Sequence, residues 1–213
     1  MKVHVYVEGP ADKNALEKLL SDLIESKKSH GVHISFFPNT KGDAKKELLW
    51  KIPVKAADFL KGNTGDFVVV LPDLYPKNKG FPHEKPEELF RGINENFKKA
   101  LEAKNVQNPD ILKERFKTFC FKHDMEVLLL AAEEELKDRL GISDMRITWK
   151  KPVEDQDHDN PPKKVVEKLF SGAGKKYHGT VDAPVILNGT DYNEIANRCP
   201  QCFKPFVEFL ESL

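Results

Sequence analysis

The chain of 213 residues is poor in the features that mark secreted, membrane-spanning or globally charged proteins. Three cysteines, Cys120, Cys199 and Cys202, are too few for a disulfide framework. Lys and Arg total 34 and Asp and Glu total 34, so the formal net charge is zero. Nothing global then attracts nucleic acid or an anionic membrane, and a polyanion partner must be met by a local patch. No apolar stretch approaches the roughly 20 residues of a membrane span. The N-terminus opens on a strand pattern and not on a basic and apolar leader, so no membrane association and a cytoplasmic location are expected. Walker A, GxGxxG and GxSxG sequences are absent, which leaves a P-loop, a dinucleotide site and an esterase elbow without their markers. Cys199-Pro-Gln-Cys202 has CxxC spacing, but zinc needs four ligands and no second CxxC or HxxxH pair occurs. A thioredoxin-type role would place the motif near a first βα unit, so a small apolar and capping role is expected for this pair.

What is present reads as α/β. Val3-His4-Val5-Tyr6-Val7 is a strand pattern, stopped by Gly9-Pro10. Leu16, Leu19, Leu20, Leu23 and Ile24 recur at helical spacing and predict an amphipathic helix over 11–28. A second strand is expected over 32–37, and a helical region over 40–61 in which Pro53 breaks or bends the helix. "FVVVLPD" (67–73) is an unbroken apolar run, typical of a central parallel strand covered on both faces. A Pro, Gly and Lys-rich loop follows, then a helix over 86–104, a fourth strand over 115–121 and a helix over 122–140 capped by His123 or Asp124. Strand and helix alternate throughout, which means a mostly parallel sheet flanked by helices. After Gly141 a short strand at "MRITW" and several short helices are expected. The division is an α/β domain over 1–150 and a helical C-terminal extension over 151–213 packed on it.

Right-handed crossovers gather the C-terminal ends of parallel strands on one edge. Glu8 and Asp73 therefore converge if the first and third strands are neighbours, and His123, Asp124 and Glu126 join them after the fourth. Three strand ends each offer a carboxylate, and Glu8, Asp73 and Glu126 suit Mg²⁺ or Mn²⁺, which take hard oxygen ligands. A cation there neutralises phosphodiester charge and orients a nucleophile, while a nearby Glu shuttles a proton. The plain alternatives are an N-cap for Asp124, a helix-dipole role for Glu126 and a turn role for Asp73.

"VYVEGPAD", "VVVLPDLYPKNKGFP", "FKHDMEVLLLA", "NPPKKVVEKLF", "KYHG" and "CPQCFKPFVEFLESL" resemble, in this order and over nearly the whole chain, a TOPRIM-like family of small stand-alone bacterial proteins. The resemblance implies the α/β fold of topoisomerases, primases and OLD-type nucleases. There a Glu after the first strand and an Asp-x-Asp after the third serve Mg²⁺-dependent phosphodiester chemistry. Carried over, these are Glu8 and Asp73, while the second Asp falls on Tyr75, a poor Mg²⁺ ligand beside a carboxylate. Either Glu126 makes up the deficit, or the protein binds polyanions without cleaving them. The resemblance further implies an ATPase partner of the OLD or AAA type and a role in phage defence. Two functions follow as expectations: a nuclease-type enzyme acting on nucleic-acid phosphodiesters, or a non-catalytic module that docks an ATPase or an anionic ligand.

Lys163 and Lys164 fall in the first turn of a helix opened by Asn160-Pro161, where the helix dipole disfavours cations and a bound phosphate would reverse the penalty. Lys77 and Lys79, interleaved with Tyr75 and Phe81, have the composition of a groove that tracks a nucleic-acid strand, and Lys41, Lys45 and Lys46 form a similar cluster. Tyr75 and His123 are expected to shape or assist the site. Asp155, Asp157 and Asp159 do not make an EF-hand, because Asn160 and Val166 stand where the invariant Gly and Glu belong.

Overall fold

The computed structural model describes residues 1–39, 42–77, 81, 83–145 and 147–213. Lys41 and Lys79, named above as basic-patch residues, and Arg146 of the expected strand lie outside the described residues.

β1 (Lys2–Val7) opens the chain, with Val3, Val5 and Val7 fully buried on one face and His4 and Tyr6 on the other. The helix expected over 11–28 is two, α1 (Pro10–Leu19) and α2 (Ser21–Ser29), because Leu20 leaves helical geometry between them. β2 (His33–Pro38) follows. The Pro53 region runs from a short α3 (Ala44–Lys46) through a π-helical turn (Glu47–Lys51) into α4 (Ile52–Gly62). Pro53 stands in the first turn of α4, where its missing N–H costs least, so it starts a helix instead of breaking one. β3 (Phe67–Leu71) is buried along Val68–Leu71, as a strand covered on both faces should be.

α5 (Pro86–Ala103) matches its expected span, and α6 (Pro109–Glu114), not foreseen, leads into β4 (Phe116–Thr118). β4 is shorter than its alternating pattern, although Phe121 still makes a parallel bridge to Asp73. The helix expected over 122–140 begins five residues later and is broken at Ala132 into α7 (Val127–Ala131) and α8 (Glu133–Leu140). "MRITW" forms no strand among its described residues. Ile147 and Trp149 instead lie partly buried against the core, so side-chain packing and not sheet pairing holds the segment. The chain closes with α9 (Pro162–Gly172), α10 (Gly179–Leu187), α11 (Tyr192–Arg198) and α12 (Phe203–Ser212).

The four strands form one all-parallel sheet in the order β2-β1-β3-β4, with Val7 level with Leu71. One face carries Val3, Val5, Val7 and Leu71 against α1, α2 and side chains of the C-terminal helices, including Val166, Ile186 and Phe206. The other carries Val68 and Val70 against α4, α5 and α6. The order reverses direction between β1 and β3, and such a switch point leaves a crevice beyond the strands' C-terminal ends. Among the described residues no helix is long and apolar enough to cross a membrane.

Candidate carboxylate site

Glu8 is the first residue after β1, and Asp73 stands two residues after the adjacent end of β3. The Asp73 backbone N–H donates to Glu8 Oε1 at 3.0 Å, which fixes the Glu8 carboxylate across the mouth of the crevice. Asp12, in the first turn of α1, accepts from the Gly9 N–H at 2.7 Å. This is half of a capping box; Gly9 has no side chain to return the bond. The sequence reading passed over Asp12, yet its signal was there: a carboxylate four residues after Glu8, across a Gly-Pro helix start, is carried back towards the strand end.

The third strand end supplies Asp124 and Glu126. Glu126 is buried at 5 % exposure and accepts from the Tyr177 hydroxyl at 3.2 Å. A Cβ on Gly179 would lie 3.5 Å from that hydroxyl and 3.4 Å from the Ala11 Cβ, so the start of α10 sits close over the cluster. Asp124 does not cap its own helix. It accepts from the Lys163 backbone N–H at 3.1 and 3.3 Å through its two oxygens, and so caps α9 across the fold. The α9 N-terminus, where a bound phosphate is expected from the sequence, thus already has a carboxyl group on its Lys163 N–H.

Five carboxylates therefore share one region, with few cations to balance them. Burial pushes Glu8 up to about 7 against the opposing charge of Lys45, and Asp12 to about 6. Asp124 is pushed to about 8 by burial and by Glu126. Asp73 is held well above the usual carboxylate range by burial and by the charge of Glu8, Asp12, Asp124 and Glu126, and burial raises Glu126 as well. Lys45 is itself buried, at 7 % exposure. Its amine donates to the carbonyls of Leu74, at 3.1 Å, and Pro76, and burial lowers its pKa while Glu8 and Asp73 raise it. Of the lysines named from sequence, Lys45 acts on Glu8, and Lys163 acts on Asp12 and Glu126.

The other expected residues lie around it. Tyr75 gives its hydroxyl to the Glu84 carbonyl at 3.1 Å and packs edge-on against His158 at 4.2 Å between ring centroids. His123 is buried, tilted against Tyr75 at 5.3 Å, and its Nδ1 has no hydrogen-bond partner among the described residues. Burial and His158 lower its pKa. Lys77 pairs with Glu84 and lies 5.9 Å above the Tyr75 ring, while Lys164 donates to the Asp159 carbonyl at 2.9 Å, in the loop before α9. The cysteines pair against their spacing: Cys202 Sγ lies 3.6 Å from Cys120 Sγ, and all three are buried free thiols. The buried Glu154 accepts from the N–H groups of Gln201 at 2.6 Å, Cys202 at 2.8 Å and Phe203 at 3.4 Å, and so anchors the start of α12.

In kind, hard oxygen donors raised for want of counter-charge fit a divalent cation. In arrangement, no group of three or more His, Cys, Asp or Glu side chains among the described residues is set to hold one. Glu8 and Asp73 by themselves match the one or two carboxylates Mg²⁺ usually takes, the remainder being water and substrate oxygens.

No curated protein and no solved structure matches the chain. A family model described as a domain of unknown function, DUF4276, matches residues 7–211, from the last residue of β1 into the last turn of α12. The chain belongs to that family.

Proposed function

We propose that the protein is a TOPRIM-like, Mg²⁺- or Mn²⁺-dependent enzyme acting on nucleic-acid phosphodiesters, with Glu8 and Asp73 as the residues that hold the cation. The observation that carries this reading is the convergence of Glu8 and Asp73 at the β1–β3 switch point, joined by a 3.0 Å hydrogen bond and surrounded by Asp12, Asp124 and Glu126. When bound, the cation supplies charge neutralisation on the phosphodiester and orientation of the attacking oxygen. Lys45, immobilised on the Leu74 and Pro76 carbonyls, offers a second positive charge beside the same two carboxylates. Glu126 and Asp124 lie close enough to share a proton, and Glu126 is the group suited to pass one between a reacting oxygen and water. An ATPase partner and a role in phage defence belong to the same proposal and rest on the family resemblance alone.

A second reading draws on Tyr75. In the TOPRIM pattern its position carries a carboxylate, whereas here the phenol is turned to Glu84 and clamped on His158. With that donor missing, the protein is a non-catalytic module that takes an anionic ligand or docks an ATPase. Calorimetric titration with Mg²⁺ or Mn²⁺, followed by incubation with labelled single- and double-stranded DNA and RNA, separates the two. Cation-dependent cleavage that is lost in Glu8→Gln supports the enzyme; binding without turnover supports the module.

A further inference from the structure

A parallel sheet normally has both faces covered by helices, and here one quarter of it does not. On the α4–α5 side the helices lie over β3 and β4; among the described residues β1 is only partly covered on that face and β2 is exposed. His33, Ser35 and Phe37 of β2 are exposed there, with Phe37 at 37 %. Its floor is aromatic. His4 stacks on Phe37 at 5.1 Å with the rings 5° from parallel, and Tyr6 stacks on Phe37 at 5.4 Å. Phe59 of α4 leans on His4 at 4.5 Å and forms one wall. The cluster sets the rings of His4, Tyr6, Phe37 and Phe59 side by side, with Tyr6 and Phe59 backed by the aliphatic core beneath α4 and Phe37 turned outward.

Lys2 shares the face of His4, with Asp66 beside it. Lys55, one helical turn before Phe59, acts on the Tyr6 phenol and shares Glu47 with Lys51, so two lysines meet one carboxylate at this end of the trough. The trough also runs towards the carboxylate site, because Tyr6 is two residues before Glu8, which directly follows β1. Stacked rings, flanking lysines and a path along one strand are the parts of a surface that takes unpaired bases.

We propose that single-stranded nucleic acid lies along the open face of β1 and β2, its bases stacking on the Phe37 and Tyr6 rings and its backbone led by Lys55 towards Glu8. This deepens the phosphodiester reading and rests on it for the substrate class, but it is tested separately. The full-length protein is titrated by fluorescence anisotropy with labelled oligothymidylate, oligouridylate and a duplex of mixed sequence, in EDTA so that no cleavage intervenes. Phe37 is exposed, so its variants should fold, and melting curves check that they do. Phe37→Leu is expected to weaken single-strand binding about tenfold, the size of one lost base–ring stack, and Phe37→Trp to restore it. Absence of single-strand binding, a preference for duplex, or equal binding by Phe37→Leu overturns the proposal. So does a concentration-dependent dimer in sedimentation that Phe37→Leu abolishes, because the face would then be covered by a second copy. If binding behaves as expected but no cation supports cleavage, the enzymatic reading fails and the trough stands. If cleavage occurs and Phe37→Leu cleaves and binds like the wild type, only the trough fails.

Discussion

The Asp73 amide donates to the Glu8 carboxylate at 3.0 Å across two parallel strands, so two residues 65 positions apart in sequence are held at one sheet edge. The bond belongs to the backbone on one side and to an acid on the other. It therefore survives protonation of Glu8, and it leaves the Asp73 carboxylate itself free of that contact.

The first prediction concerns pH. Glu8, Asp12 and Asp124 have ordinary values of 4.5, 3.8 and 3.8 and are raised in the fold to about 7, 6 and 8. Between those two ranges the folded state holds more protons than the unfolded one, so stability falls as pH rises. The favourable contribution is fully present below the unfolded values and is lost as pH rises through the folded ones. Melting temperature should decline from about pH 5 to about pH 8. Millimolar Mn²⁺ should recover several degrees at the upper end and almost none at the lower, because it binds the ionised forms. A flat profile, or equal cation response at both ends, would count against the site.

Glu8→Gln should trade function for stability. The amide oxygen of Gln still accepts the Asp73 N–H, while a buried like charge disappears. At the alkaline end the variant should melt roughly 2–4 °C higher than the wild type, the size of an effect of about 1 kcal/mol in a chain of this length. The Mn²⁺-induced gain should vanish with it. Scanning calorimetry with and without the cation reads both; a variant less stable than wild type that keeps its cation response sinks the assignment.

Asp124 acts at a distance from its own helix. Asp124→Ala leaves the Lys163 N–H at the start of α9 without its acceptor, and should cost about 1 kcal/mol, whereas Asp124→Asn should cost much less. Urea denaturation near pH 5, where the acid is already neutral, isolates the lost acceptor from the removed charge. Equal losses in the two variants would mean the cap contributes nothing.

Glu154 gathers three N–H groups at the start of α12 from a position 1 % exposed. Glu154→Ala strands all three and should cost about 3 kcal/mol in chemical denaturation, since hydrogen bonds to charged groups contribute about 1.5–3 kcal/mol each before any rearrangement. Glu154→Gln, which keeps one acceptor oxygen, should lose less. A loss under about 1 kcal/mol for the alanine variant would show that α12 is fixed by packing alone.

Much of the frame was legible because it is written in local patterns. The alternation of Val3, Val5 and Val7, the apolar run of β3 and the helical spacing of Leu89, Ile93 and Phe97 each reflect burial against neighbours on one face. Boundaries were less legible where a local pattern competes with packing. Leu20 and Ala132 have helix-compatible side chains and still break their helices, and Ile147 and Trp149 alternate without a strand beside them.

The sequence by itself determined that the sheet would be parallel, because strands and helices alternate, and so that Glu8, Asp73 and the residues after the fourth strand would lie along one edge; that β1 and β3 are neighbours, which brings Glu8 beside Asp73, the tertiary structure decided. Tertiary structure alone decided that Asp12 and a buried Lys45 join them, that Asp124 caps α9, and that Cys202 faces Cys120 instead of Cys199. Each of these depends on where a side chain meets a segment far away in the chain, and no periodicity of either segment encodes that meeting.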